Sequence, residues 1–457
     1  MENMKLAVIM HTIFQTLKLM SLADSALWPL TASQASLLMQ QGRLSSERYV
    51  RACLERIAER EPQVQAWAHI DADAALAQAR ACDAQPRRSA LHGIPVGLKD
   101  VIRSLDQPTR FNSPIYPEHR PNEDAHSAQV LRLHGAVIMG KLQTLEFACG
   151  GQHPPTCNPW DLARTPGGSS SGSGAAVADG MVPLALGTQT GGSTIRPAAF
   201  CGAVGMKPTW GRIPFDGIKS FAPHLDTVGL FARSADDLAL LLDAYALLEP
   251  EPPQVPPMGQ LRLAVCRTPL WSQAEPVAQE AFEALLDRLR AAGVSLSELA
   301  WPEELAAINT WQDEVMQDGG RSAFLPEWLL APQLLHQDFK NKLANHLQLT
   351  PAKMRLALDR IAQARIAFEA AMGQADAVIG LSAPGPAPLG LHSQGMATFN
   401  RLWTALQVPC ISLPLMWSPE GLPMGLQLIH RRYEDPRLVQ VARRIEAAMP
   451  EERHPWN

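Results

Sequence analysis

Serines set among glycines are the residues of this chain best placed to do chemistry. From Arg164 to Pro214 it reads RTPGGSSSGSGAAVADGMVPLALGTQTGGSTIRPAAFCGAVGMKPTWGRIP, with glycine–serine clusters at Gly167 to Gly174 and Gly191 to Ser193. Glycine lets backbone N–H groups come close to a ligand, because no Cβ stands in the way. A serine hydroxyl beside such N–H groups suggests a nucleophile next to an oxyanion pocket. The hydroxyl stays unreactive until a base removes its proton, and no histidine lies in the stretch. Upstream, in GIPVGLKDVI, Lys99 ends an apolar run. Burial among apolar groups would hold a lysine neutral, since desolvation disfavours the charged form. On composition alone a lone lysine is more often a solvated surface residue. Asp100 beside it could tune its charge or cap a helix. The N–H groups of Thr190, Gly191, Gly192 and Ser193 could converge on one oxygen. A tight strand-to-helix turn is the plainer reading of those four residues, and it is compatible with the first.

Together, the Lys99 run and the central stretch resemble the amidase signature family of serine amidohydrolases. Agreement is nearly gapless in the central stretch and weaker from about Leu44 to Glu446, including KPTWGRIP, LDTVG and GLPMGLQLI. The resemblance reverses the odds on Lys99. It implies an amidohydrolase that cleaves a carboxylic amide C–N bond through an acyl-enzyme, with a small-molecule amide as substrate and no metal or organic cofactor. It also implies a Ser–cis-Ser–Lys triad. The lysine of the family's P-x-x-x-K-D motif falls on Lys99, the serine after P-G-G on Ser169, and the serine of T-G-G-S on Ser193. Ser193 would attack the carbonyl carbon, Ser169 would relay the proton, and Lys99 would be the terminal base. A cis peptide between Gly168 and Ser169 is implied, as is an oxyanion loop of Thr190, Gly191, Gly192 and Ser193. Ser170, Gln189, Arg196 and Asp226 are expected to support these groups. Many family members have an acid where Gln189 stands and Ile-Arg directly after the nucleophile. Here the order is Ser193-Thr194-Ile195-Arg196, so that acid–arginine pairing is not carried over. Arg196 is expected to buttress the loop.

Other readings fit less well. Gly168-Ser169-Ser170-Ser171-Gly172 satisfies the G-x-S-x-G nucleophile elbow with Ser170 as nucleophile, but that motif follows a strand and NPWDLARTP is a poor one. No lysine has a serine three residues before it, as a β-lactamase-type site needs. A phosphate loop would end in Gly-Lys-Ser/Thr, which is lacking. A flexible Gly/Ser linker would not have apolar flanks of strand and helix character. Two alternatives remain. One is the glutamine-hydrolysing amidase subunit of a tRNA-dependent amidotransferase. The other, of a different class, is a non-catalytic amidase-like binding protein. Gln189, the Thr194-Ile195-Arg196 order and the lack of basic runs favour a free-standing amidase.

The apolar pattern supplies the scaffold for these groups. Ile94 to Leu98, Ala136 to Met139, Val182 to Leu186, Leu261 to Cys266, Ala377 to Gly380, Cys410 to Leu415 and Met424 to Ile429 read as strands, with another near Leu296. Helices are expected from Ser45–Ser46 through Ile57, over Ala74 to Cys82, His126 to His134, Ala175 to Asp179, Val277 to Ala292 and Arg437 to Ala448. The alternation predicts an α/β fold with a largely buried sheet. The family resemblance implies a single domain over 23–457, with a mixed β-sheet core covered by helices on both faces. A mostly helical insertion is expected at about 301–370. The aromatic residues of that insertion hint at an apolar or aryl acyl group, although such residues at helical spacing are more often core. EPEPPQVPP, Glu249 to Pro257, is either a linker or a rigid surface crossing. Residues 1–22 read as an accessory N-terminal segment, with an over-long start before Met20 as the alternative.

The chain is 46% apolar and 19% charged, enough for a large core without staples. A net charge of −5 without a basic run gives nucleic-acid binding no electrostatic support. No apolar run approaches the ~18 residues of a membrane span. Seven cysteines, an odd number with no C-x-x-C, suit a reducing, cytoplasmic setting rather than a disulfide framework or zinc site. A homodimer is compatible with all of this.

Overall fold

Short apolar runs without period-two alternation read as strands buried on both faces, and such runs supply the interior of an eleven-stranded mixed sheet in this computed structural model. The structure describes residues 27–251, 253–449 and 454. In chain order the strands are β1 (Trp67–Ile70), β2 (Pro95–Lys99), β3 (Val137–Leu142), β4 (Leu184–Gln189), β5 (Val204–Lys207), β6 (Thr227–Ala232), β7 (Arg262–Val265), β8 (Ser295–Glu298), β9 (Ala377–Leu381), β10 (Cys410–Trp417) and β11 (Pro423–Ile429). Their spatial order is β1-β3-β2-β4-β6-β5-β10-β11-β9-β7-β8. Strand β2 lies parallel between β3 and β4, while β4 pairs antiparallel with β6. Every residue of β2, β3, β4, β6 and β11 is buried, as helices on both faces require.

The proline-rich crossing at Glu249 to Pro257 does not divide the chain, because strands before and after it share the one sheet. Between Glu303 and Ala371 the chain is mostly helical: Ile308–Ala323, Leu325–Leu330, Gln337–Leu343 and Pro351–Ala371. Phe324, at the joint of the first two, is wholly buried, with ring centroids 4.5 Å from Phe339 and 5.9 Å from Phe147. Those aromatic rings fill core rather than line an open pocket. No helix among the described residues is long and apolar enough to cross a membrane, and all seven cysteines are free thiols. The N-terminal segment 1–22 lies outside the described residues.

Several elements depart from the sequence expectation for identifiable reasons. Asp71 accepts a hydrogen bond from Ala74 N at 3.0 Å, so the second expected helix begins at Ala72. Strand β4 continues past Leu186 because β6 pairs it as far as Gln189 with Thr227. Strands β1, β5 and β6 and helices Ala32–Gln40, Ile195–Cys201, Ala235–Ala244 and Arg401–Ala405 were not anticipated.

The largest difference lies in the glycine–serine cluster. Helix Ser171–Ala178 begins four residues before the expected Ala175 and carries Gly172 and Gly174 inside it. A Cβ on Gly172 would stand 2.2 Å from Ala66 O and 2.5 Å from Gln143 N, and one on Gly174 would stand 2.9 Å from Pro197 O. These glycines let the helix lie against neighbouring backbone; they do not open it to a ligand. Backbone atoms yield less readily than side-chain tips. Gly172→Ala should therefore destabilise the fold by about 1–3 kcal/mol in urea unfolding, and a change within ~0.5 kcal/mol would contradict this account.

Candidate functional site

Lys99 ends β2, flanked by β3 and β4, and is wholly inaccessible to solvent. Its Nζ lies 2.7 Å from Ser169 Oγ and 2.8 Å from Thr188 Oγ1. Burial holds its pKa well below the usual lysine range; the charge of Asp226 opposes this more weakly. Asp100, next in the chain, turns elsewhere. It accepts from Arg110 N at 3.1 Å and lies 3.6 Å from Lys141 Nζ. Of these two buried lysines, Lys141 has the carboxylate and Lys99 has hydroxyls. Asp100 therefore neither tunes Lys99 by contact nor caps a helix.

Ser169 follows a cis peptide from Gly168. Its carbonyl accepts from Leu145 N at 3.2 Å, and the Gly168 carbonyl accepts from Arg196 Nη2 at 2.6 Å. Ser170 is tied to β4, for its Oγ donates to Thr188 O at 3.2 Å and accepts from Thr188 N at 3.3 Å. No strand leads into it, so the nucleophile-elbow reading lacks its context. Ser170 N donates to Ser193 O at 3.3 Å, which joins the two serine clusters through backbone.

The backbone of the loop from Thr190 to Ser193 is held through its carbonyls. Thr190 O accepts from Gln312 Nε2 at 2.9 Å and Gly191 O from Thr404 Oγ1 at 2.7 Å. Gly192 O accepts from Arg196 N at 3.0 Å, and Ser193 O from Ser170 N. The N–H groups of these four residues donate no hydrogen bond to the described residues, and Ser193 Oγ has no partner among them. A loop whose carbonyls are all fixed and whose N–H groups are free has the donors an oxyanion needs.

The supporting residues divide the work. Gln189 Oε1 accepts from Thr194 N at 2.9 Å and Ile195 N at 3.1 Å, and its Nε2 donates to Thr404 Oγ1 at 3.0 Å. It thus caps helix Ile195–Cys201 and reaches the loop through Thr404, without touching Arg196. Asp226 accepts from Thr190 Oγ1 at 2.6 Å, from Ser220 Oγ at 2.8 Å and from the N–H groups of Phe221 and Ala222. Burial raises the Asp226 pKa, and these donors pull it back. Arg196 donates to the carbonyls of Gly395 and Gly168 and to Gln394 Oε1 at 2.7 Å. Burial and the nearby charge of Arg401 lower its pKa to about 9.

Sequence reasoning missed Thr188, Gln312, Thr404 and Gln394. Thr188 stood two residues before the loop and could have been read as polar among apolar neighbours. The others lie far along the chain with no local signal. A cavity of about 580 Å³ adjoins the loop between helix Ile308–Ala323 and the segment 394–401, with Arg196, Gln394 and Arg401 in its wall. No group of metal-ligating side chains occurs among the described residues.

The family model described as Amidase matches residues 48–439. A glutamyl-tRNA(Gln) amidotransferase subunit of Chloroflexus aggregans is 33% identical over 465 residues, covering 90% of this chain and 95% of that protein. A solved amidase structure is 27% identical, with a TM-score of 0.84 over 92% of this chain and 100% of that one. A peptide amidase solved with the competitive inhibitor chymostatin is 26% identical, with a TM-score of 0.78 over 93% and 98%. With its single mixed sheet, buried lysine and clamped glycine loop, the chain belongs to the amidase signature family of amide-cleaving enzymes.

Proposed function

We propose that the protein is a free-standing amidase that hydrolyses a carboxylic amide through an acyl-enzyme on Ser193. The observation that carries this reading is the Lys99 amine, buried without a carboxylate contact and 2.7 Å from Ser169 Oγ. Ser193 Oγ attacks the amide carbon, its proton passes to Ser169 Oγ, and the Ser169 proton passes to Lys99 Nζ. The carbonyl oxygen becomes an oxyanion facing the free N–H groups of the 190–193 loop. As the C–N bond breaks, the proton returns through Ser169 to the leaving nitrogen. Water then attacks the ester by the same relay, giving carboxylate and regenerating Ser193. Gln189, Arg196, Asp226 and Ser170 position these groups without touching substrate. The free thiols suit a cytoplasmic enzyme.

A second reading has one observation in its favour, the amidotransferase name of the 33%-identical relative. It predicts ammonia release from glutamine in preference to every other amide. A purified protein that hydrolyses other amides better than glutamine supports the free-standing enzyme.

Treatment with a fluorophosphonate should modify Ser193, and Ser193→Ala should abolish the adduct in peptide mass spectrometry. Modification at Ser170 would overturn the assignment, and no adduct on folded protein would favour a non-catalytic relative.

Only neutral Lys99 can accept a proton. Acylation should therefore rise with pH through a midpoint well below the ~10.4 of free lysine. Lys99→Met should abolish acylation yet fold. In the wild type the unfolded chain binds a proton that the folded chain lacks, so wild-type stability falls as pH drops below ~10. The Met variant lacks this term. Its melting temperature relative to wild type should climb from pH 10 to pH 7; a constant difference would mean Lys99 is not held neutral.

Gln189→Glu keeps both acceptors for Thr194 and Ile195 but cannot donate to Thr404, whose hydroxyl would turn from Gly191 to the carboxylate. We expect kcat to drop roughly 10-fold, less than the loss of a whole oxyanion donor. Steady-state kinetics showing an unchanged kcat would remove Gln189 from the loop's support.

A further inference from the structure

The 580 Å³ cavity is walled by two elements that pack on the 190–193 loop. Helix Ile308–Ala323 sends Gln312 to the Thr190 carbonyl and presents Asn309, Thr310 and Asp313 to the cavity. On the other side, a Cβ on Gly192 would stand 2.6 Å from Asn400 Oδ1 and 2.9 Å from Ala397 Cβ. A Cβ on Gly191 would lie 3.9 Å from Arg401 Cγ, and one on Gly168 would lie 3.2 Å from Gln394 Cβ. The cavity therefore borders both the loop and the Gly168–Ser169 peptide.

Its charges do not balance. Arg196 and Arg401 face it as cations, with Asp313 as the carboxylate among its lining residues. Arg196 is committed to the Gly168 and Gly395 carbonyls and to Gln394. Among the described residues the Arg401 guanidinium has one long polar contact, 3.5 Å to Asp313, and the side chain is 37% exposed. A guanidinium offers five N–H donors in a planar fork, so most of those on Arg401 remain for a ligand. The repulsion between the two arginines, which helps lower the Arg196 pKa, would be relieved by an anion between them. The rim adds neutral polar groups, with Asn309 Nδ2 donating to Thr398 O at 3.0 Å and Thr398 Oγ1 to Gln273 Oε1 at 3.0 Å.

We propose that this cavity seats a carboxylate of the substrate on the Arg401 guanidinium, so that the preferred substrates are amides bearing a carboxylate a few bonds from the scissile carbonyl. A planar carboxylate matches the guanidinium fork in a bidentate pair. This inference rests on the amidase reading above, and it extends that reading from bond type to substrate class.

Succinamic acid and butyramide are the test pair, because they share an amide and a chain length and differ by a carboxylate. In the wild type kcat/KM should favour succinamate by roughly 10- to 100-fold, the range of a charge-assisted hydrogen-bonded pair. Arg401→Gln should bring that ratio close to one, through KM, and Arg401→Lys should restore part of it. A wild-type ratio near one, on protein whose Ser193 takes the fluorophosphonate, would overturn this inference and leave the amidase reading intact. Calorimetry decides the point even if that reading fails. Succinamate should bind Ser193→Ala protein measurably tighter than butyramide, and Arg401→Gln in that background should remove the difference. Equal binding of both probes would overturn the proposal.

Discussion

The candidate site is arranged around an amine buried without a carboxylate in contact with it. Water would hold the Lys99 amine charged, and a contacting carboxylate would do the same. The fold denies it both, placing Lys99 at the end of a central strand with two hydroxyls for company. The contrast with Lys141 is informative. It is equally buried, yet it lies 3.6 Å from Asp100 and its pKa is lowered only to about 8. Two lysines on neighbouring strands thus meet different electrostatics because one aspartate turns toward one of them.

A second requirement follows. A neutral base is useful only if the hydroxyl it serves and the oxyanion donors stay in register with it. The structure meets this by fixing carbonyls. Each carbonyl from Thr190 to Ser193 accepts from a different element, through Gln312, Thr404, Arg196 and Ser170, and the N–H groups are left facing the opposite way. Arg196 links this loop to the other serine cluster by holding the Gly168 carbonyl. The glutamine at position 189 fits the same scheme. A carboxylate there would satisfy the two helix N–H groups, whereas the amide also supplies a donor to Thr404. One neutral side chain thereby serves both the helix start and the loop.

The elements that pack on the loop also wall the cavity beside it. Helix Ile308–Ala323 and the segment 394–401 clamp Thr190 and Gly192 and also form the walls of the adjoining cavity. Sharing of this kind ties the shape and charge of the cavity to the geometry of the loop. Changes in the cavity wall can therefore reach the loop carbonyls.

The serine, glycine and lysine patterns and most of the strands are legible along the chain, although β5 and β6 in the middle of the sheet are not. Lys99 after IPVGL and the T-G-G-S turn are local patterns, and burial on both faces leaves a continuous apolar run that reads as strand. The sequence likewise places a neutral glutamine at 189, and the fold gives Gln189 and Arg196 separate partners. Where glycine serves packing is visible only in three dimensions, since the contacts of Gly172 with Ala66 and Gln143 join residues distant along the chain. Folding also brings in Gln312 and Thr404, more than a hundred residues beyond the loop they hold, and gives Asp100 to Lys141 rather than Lys99. The difference is one of range. Propensity, capping and turn chemistry act over a few residues, whereas desolvation and hydrogen bonding act between whatever the fold brings within about 3 Å.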